Sequence, residues 1–215
     1  MKFIKRLIIF ILFLVVVVLG LGIFAINRIK TEITESDLPQ DVYESSGDFT
    51  ALIRTKVLAI ILADEEDSYT LMEEFINLLI IDIIRENVNS EYDPLNGETE
   101  ESQYIINHEQ FQLDYIYAHL NEDNQIIVTV SIKRETLPKA MTAFHFIFDV
   151  EYERSTFNLV LTLNQVYLHN IEVRRSIYDY FVSLADKDQI EAFVDTGTLD
   201  LEEYTYTINF RDLIR

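Results

Sequence analysis

Residues Leu7–Ile26 form an apolar run of twenty, seventeen of them Leu, Ile, Val or Phe. As a helix this segment is about 30 Å long, which matches the hydrocarbon thickness of a bilayer. Each such residue favours insertion by roughly 0.3–0.6 kcal/mol, so the segment is expected to partition into the membrane with several kcal/mol to spare. A cleaved signal peptide is the competing reading, but its apolar core spans only about 7–15 residues. Ile23 and Ala25 offer a poor cleavage site. The run therefore predicts a signal-anchor helix over 7–26 with a short cytoplasmic N-terminus at 1–6. Lys2, Lys5 and Arg6 precede it and Arg28 and Lys30 follow it. That bias favours an N-terminus in the cytoplasm, a domain outside the cell and residence in the cell membrane.

Behind the anchor the chain is strongly acidic. Five of its 17 basic residues lie in the first thirty positions, which leaves 12 against 37 acidic ones, a net of −25 for residues 31–215. Nucleic acid as a partner is disfavoured, because phosphates demand a basic face. An anionic bilayer surface likewise recruits Lys and Arg. There is no cysteine, so disulfides, thiolate metal sites and a Cys nucleophile are excluded. With 12 Tyr and 14 Phe the domain can still bury a core.

Residues 27–46 carry Pro39 and several acids without an apolar period, and read as a tether to a domain over 47–215. Asp48 is placed to cap a helix reaching about Ala63, with Leu52, Ile53, Val57, Ile60 and Ile61 at helical spacing. The acidic stretch Asp64-Glu65-Glu66-Asp67 is expected to end it. Thr70 and Glu73 read as a capping box for a second helix over about 70–87. That helix is apolar on nearly all sides, so it must be buried on most of its girth or touch lipid.

After a loop marked by Pro94 and Gly97 the period changes to two. Phe111, Leu113, Tyr115 and Tyr117 alternate with polar residues. Asn121–Asn124 turns the chain into Ile126, Val128, Val130 and Ile132. Phe144, Phe146, Phe148, Val150 and Tyr152 then lead through Glu153-Arg154-Ser155 into Phe157, Leu159, Leu161 and Leu163, which predicts an antiparallel hairpin. Short helices are expected over Ser176–Ala185 and Asp188–Val194, closed off by Gly197, and a last strand through Tyr204, Tyr206, Ile208 and Phe210. The fold class is α+β: a transmembrane helix, then helices packed on a long antiparallel β-meander.

Motifs for chemistry are sparse. Beyond the anchor the glycines are Gly47, Gly97 and Gly197. Phosphate-binding loops, dinucleotide turns and nucleophile elbows each need several glycines close together, so those classes are excluded. His108-Glu109 begins like a zinc-protease motif, but Gln112 stands where the second ligand belongs. His119, His145 and His169 fall singly in or beside strands. Asp93, Asn96, Gly97 and Glu98 resemble a calcium loop without its alternation of ligands. No cofactor, metal site or catalytic residue is expected.

The richest apolar surface is the ladder Phe144-Phe146-Phe148, expected to face Phe157-Leu159-Leu161 across the hairpin. Together with Phe75 and Leu79 of the over-apolar helix, it forms either a filled core or a slot for an acyl chain. Three functions follow: a non-enzymatic protein binding a lipid or other amphiphile at the envelope, a scaffold docking onto an envelope protein partner, or, least favoured, a hydrolase using scattered carboxylates.

The C-terminal stretch FNLVLTLNQVYLHNIEVRRSIYDYF, with the closing VDTGTLDLEEYTYTINFRDL, resembles the YpmS-like family of uncharacterised, membrane-anchored extracytoplasmic proteins of Gram-positive bacteria and their wall-less relatives. The resemblance covers about the last sixty residues and the overall layout. A proline expected by that resemblance near Val173-Arg174-Arg175 is absent. It implies location and topology, and it carries no functional residues.

Overall fold

The structure, a computed structural model, describes residues 38–43, 48–63, 65–99, 101–109, 111–121, 123–134, 137–184 and 197–214. The expected anchor Leu7–Ile26, the rest of the 27–46 stretch and the expected Asp188–Val194 helix lie outside them. Among the described residues no helix is long and apolar enough to cross a membrane.

Three helices lead the domain: α1 (Gln40–Tyr43), α2 (Phe49–Leu62) and α3 (Glu65–Asn87). Leu38 and Val42 are buried in the core, so packing of the domain already begins inside the stretch read as tether. Asp48 caps α2, its carboxylate accepting from the Ala51 N–H at 3.3 Å. Ile53, Val57 and Ile60 turn the inner face of α2 onto the core. Helix α3 starts at Glu65, five residues before the expected capping box. Thr70 therefore sits inside the helix and is exposed.

The strands are β1 (Ile106–His108), β2 (Phe111–Leu120), β3 (Gln125–Arg134), β4 (Leu137–Glu153), β5 (Asn158–Leu168), β6 (Ile171–Glu172), β7 (Gly197–Asp200) and β8 (Thr205–Asn209). Helix α4 (Arg175–Leu184) follows β6, and α5 (Phe210–Ile214) ends the described chain. All pairings are antiparallel, in the order β1-β2-β3-β4-β5-β8-β7, with β6 pairing the far end of β5. Together these elements form an α+β fold in which a curled meander packs on helices.

Every residue of α3 from Phe75 to Ile84 is buried. That explains its near-uniform apolarity: the sheet curls round one side while α2 and α1 cover others. The helix also closes an open sheet edge. Strand β1 pairs with β2 only as far as Leu113, so the backbone beyond it needs other partners. The Asn77 side chain supplies them as a strand would. Its Nδ2 donates to the Ala118 carbonyl and its Oδ1 accepts from the Ala118 N–H, both at 2.8 Å. Glu73 Oε2 accepts from the Leu120 N–H at 2.5 Å, and the Tyr92 hydroxyl donates to the Asp114 carbonyl at 3.1 Å.

Two bulges correct the simple alternation. Leu113 pairs with Ile132 and Tyr115 with Ser131, leaving Asp114 as the extra residue. The phase flips there, so Ile116 and Ala118 are fully buried while Tyr115 and Tyr117 are half-buried, packed against the core's margin. In β5 the extra residue is Asn164, between Leu163 opposite Phe148 and Gln165 opposite Ile147. The register differs from the expected one accordingly. Phe144, Phe146 and Phe148 stand opposite Leu168, Val166 and Leu163, whereas Leu159 and Leu161 stand opposite Tyr152 and Val150. Phe157 is not a strand residue. It sits in the turn with φ of 62°, its ring under the Arg211 guanidinium at 4.4 Å.

Candidate functional site: a cleft at the domain entry

The eight residues expected to line an acyl slot lie in one continuous apolar cluster. Phe75, Leu79, Phe144, Phe146, Phe148, Leu159 and Leu161 are buried within it, and Phe157 packs against it half-buried. The Phe75 ring meets Phe210 edge-on at 5.4 Å, and Phe210 in turn meets Tyr152 at 5.4 Å. None of these side chains lines either of the two cavities described next.

The larger cavity, about 520 Å³, opens where the chain enters the domain. Its wall is built from five places in the sequence: Leu38 and Pro39 ahead of α1, Glu73 from α3, Tyr117, Ala118 and His119 from β2, Ile127 and Thr129 from β3, and His145 from β4. Strand register explains the grouping. Tyr117 stands opposite Thr129, Thr129 opposite His145, and His119 opposite Ile127. The Asp114 bulge is what turns Tyr117 and His119 to this face.

Polar groups gather in pairs. Thr129 Oγ1 and His145 Nδ1 are 3.0 Å apart, and burial, with His169 nearby, pushes the His145 imidazole below its ordinary pKa. It is thus neutral at neutral pH. Exposed His119 brings Nδ1 to 3.5 Å from Glu73 Oε2, the oxygen already held by the Leu120 N–H. Thr129 is only 3% exposed, which leaves its hydroxyl poorly placed to attack a substrate. Apolar walls with a few fixed hydrogen-bonding groups suit capture of a small molecule.

A smaller pocket of about 270 Å³ lies between Ser68, Tyr69, Tyr152 and Arg154. Arg154 Nη2 reaches the Ala63 carbonyl at the end of α2, and the Tyr152 hydroxyl is buried without a hydrogen-bond partner. Among the described residues no group of three or more His, Cys, Asp or Glu is placed to hold a metal ion. The loop compared with a calcium site is a self-capped turn: Asp93 Oδ1 accepts from the N–H groups of Leu95 and Asn96, and its carbonyl from that of Gly97.

The residues of the larger cleft escape a one-dimensional reading. His119 and His145 look solitary in sequence, and Leu38 and Pro39 look like linker. The signal available was the turn at Asn121–Asn124, which fixes His119 opposite Ile127 once the hairpin is folded.

Comparison with protein-family models, characterised proteins and solved structures finds no match for this chain.

Proposed function

We propose that this chain is a single-pass membrane protein whose extracytoplasmic domain binds a lipid or other amphiphile without catalysing a reaction. The cleft at Leu38–Pro39 carries the reading. Its volume falls in the range of small-molecule sites, and its lining joins Leu38, Pro39, Ala118 and Ile127 to hydrogen-bonding groups. Position adds support. Leu38 follows the expected anchor by twelve residues, a flexible reach of about 20 Å and a fully extended one of about 40 Å. A cleft so tethered stays close to the bilayer from which an amphiphile would come. The resemblance to the YpmS-like family points to the same topology.

The test is native mass spectrometry of the full chain released from membranes in mild detergent. One amphiphile per chain is expected to remain bound. Ile127→Trp, which fills the cleft, is expected to abolish retention while leaving the fold intact by circular dichroism. Equal retention in the variant refutes the cleft as the site.

A second reading, a scaffold for an envelope protein partner, is favoured by one observation. Leu58 and Leu62 lie one turn apart on α2 and are 46% and 83% exposed. Photo-crosslinking from position 62 in intact cells tests it, and the absence of any crosslinked protein counts against it.

A further inference from the structure

We infer that the polar end of the cleft selects a cationic head, so that the ligand is an amine-bearing amphiphile and not an anionic lipid. The inference rests on the cleft being an amphiphile site.

Three observations carry it. Among the described residues lining the cleft there is no Lys or Arg. Among those same residues the one carboxylate, Glu73, has a side chain 29% exposed, and the Leu120 N–H and His119 fix its position. The domain around it carries −25 over residues 31–215, a field that concentrates cations and repels anions. Tyr117 is in the same wall, an aromatic residue of the kind that can accompany an ammonium group. His145 does not compensate: half-buried and engaged by Thr129 Oγ1 at 3.0 Å, its imidazole is held below its ordinary pKa by desolvation and the nearby His169. A phosphate or carboxylate head would therefore meet the Glu73 carboxylate with no lysine or arginine among the described lining residues to pair with, and His119 is already engaged by Glu73. An ammonium would find an ion-pair partner, an aromatic residue and hydrogen-bond acceptors.

The experiment uses the full chain in amphipol with isotope-labelled histidine, titrated at pH 8, where an ordinary imidazole is neutral. The four histidines give a direct readout. His119 and His145 line the cleft, while His108, stacked on Phe111 at 5.2 Å, reports the fold elsewhere. The probes are dodecylamine, lauric acid and monolaurin, which share a chain length and differ in head charge. Dodecylamine is expected to move the His119 and His145 signals and to bind about fivefold more tightly than monolaurin, with lauric acid weakest. Glu73→Gln removes the charge but keeps an oxygen for the Leu120 N–H. It is expected to erase the preference for dodecylamine, leave monolaurin binding in place and leave the His108 signal unmoved. Lauric acid binding as tightly as dodecylamine, or a preference that survives Glu73→Gln, overturns the inference while leaving the cleft reading intact. Failure of all three probes to move the two signals overturns the cleft reading itself.

Discussion

Replacing Asn77 by leucine separates what the α3 side chain contributes by shape from what it contributes by hydrogen bonding. Leucine nearly matches asparagine in size and suits a helix interior better, by a few tenths of a kcal/mol. It cannot replace the two 2.8 Å bonds to Ala118. Ala118 is 2% exposed, so its N–H and C=O would be left buried and unpaired. Each such group costs about 1–3 kcal/mol. Some relaxation of the β2 edge will recover part of that, giving an expected net loss of about 2–4 kcal/mol. Urea unfolding of the full chain in amphipol, followed by circular dichroism, gives the stability, and hydrogen exchange at the Ala118 amide gives the local effect. The wild-type amide should be strongly protected and the variant amide should exchange far faster. A stability change below about 0.5 kcal/mol with unchanged protection would refute the idea that the helix acts as a substitute strand.

Other expectations concern charge and backbone. Burial raises the Asp114 carboxyl to about 6, with Lys133 opposing, and burial with Glu86 and Asp48 raises Asp82 to about 6. Both values exceed the ordinary aspartate value of 3.8, so the folded state binds more protons than the unfolded one between about pH 4 and 6. Stability therefore falls as pH rises through that window, the reverse of a salt-bridged carboxylate. Asp114→Asn is expected to recover up to about 3 kcal/mol at pH 8 and to flatten the pH dependence, measured by urea unfolding at several pH values. Gly97→Ala would set a Cβ 2.3 Å from Ser102 Oγ and 2.6 Å from the Asp93 carbonyl. The turn must open, at a cost of about 1–3 kcal/mol in the same assay.

The sequence made the backbone plan legible wherever period and composition agreed. Strands β3, β4 and β5 stood out because alternation ran unbroken through Ile126–Ile132 and Phe144–Tyr152. Asp48 announced its helix because a free carboxylate before an apolar period has one obvious use. The bulges were not legible. Asp114 and Asn164 each add one residue, and their only trace is an apolar spacing of three: Leu113 to Ile116, and Leu163 to Val166. A single period of two through Phe111, Leu113, Tyr115 and Tyr117 misses the phase change that buries Ile116 and Ala118. Glu73 looked like a capping residue because its position relative to Thr70 suits that role, whereas its partner, Leu120, is 47 residues away. The cleft was hidden for the same reason, since its wall comes from separate segments brought together only by register.

Among the described residues the sheet also ends modestly on both sides: β1 has three residues and β7 four, and on the long β2 margin Ala118 and Leu120 are bonded by Asn77 and Glu73 of α3. Exposed strand margins are where one molecule recruits the next into aggregates. On the proposed membrane-anchored reading, copies of this protein would meet in two dimensions, at crowding that a dissolved protein escapes. Spending an asparagine and a glutamate on that margin leaves little for a neighbouring copy to pair with, so dense packing of copies need not become polymerisation.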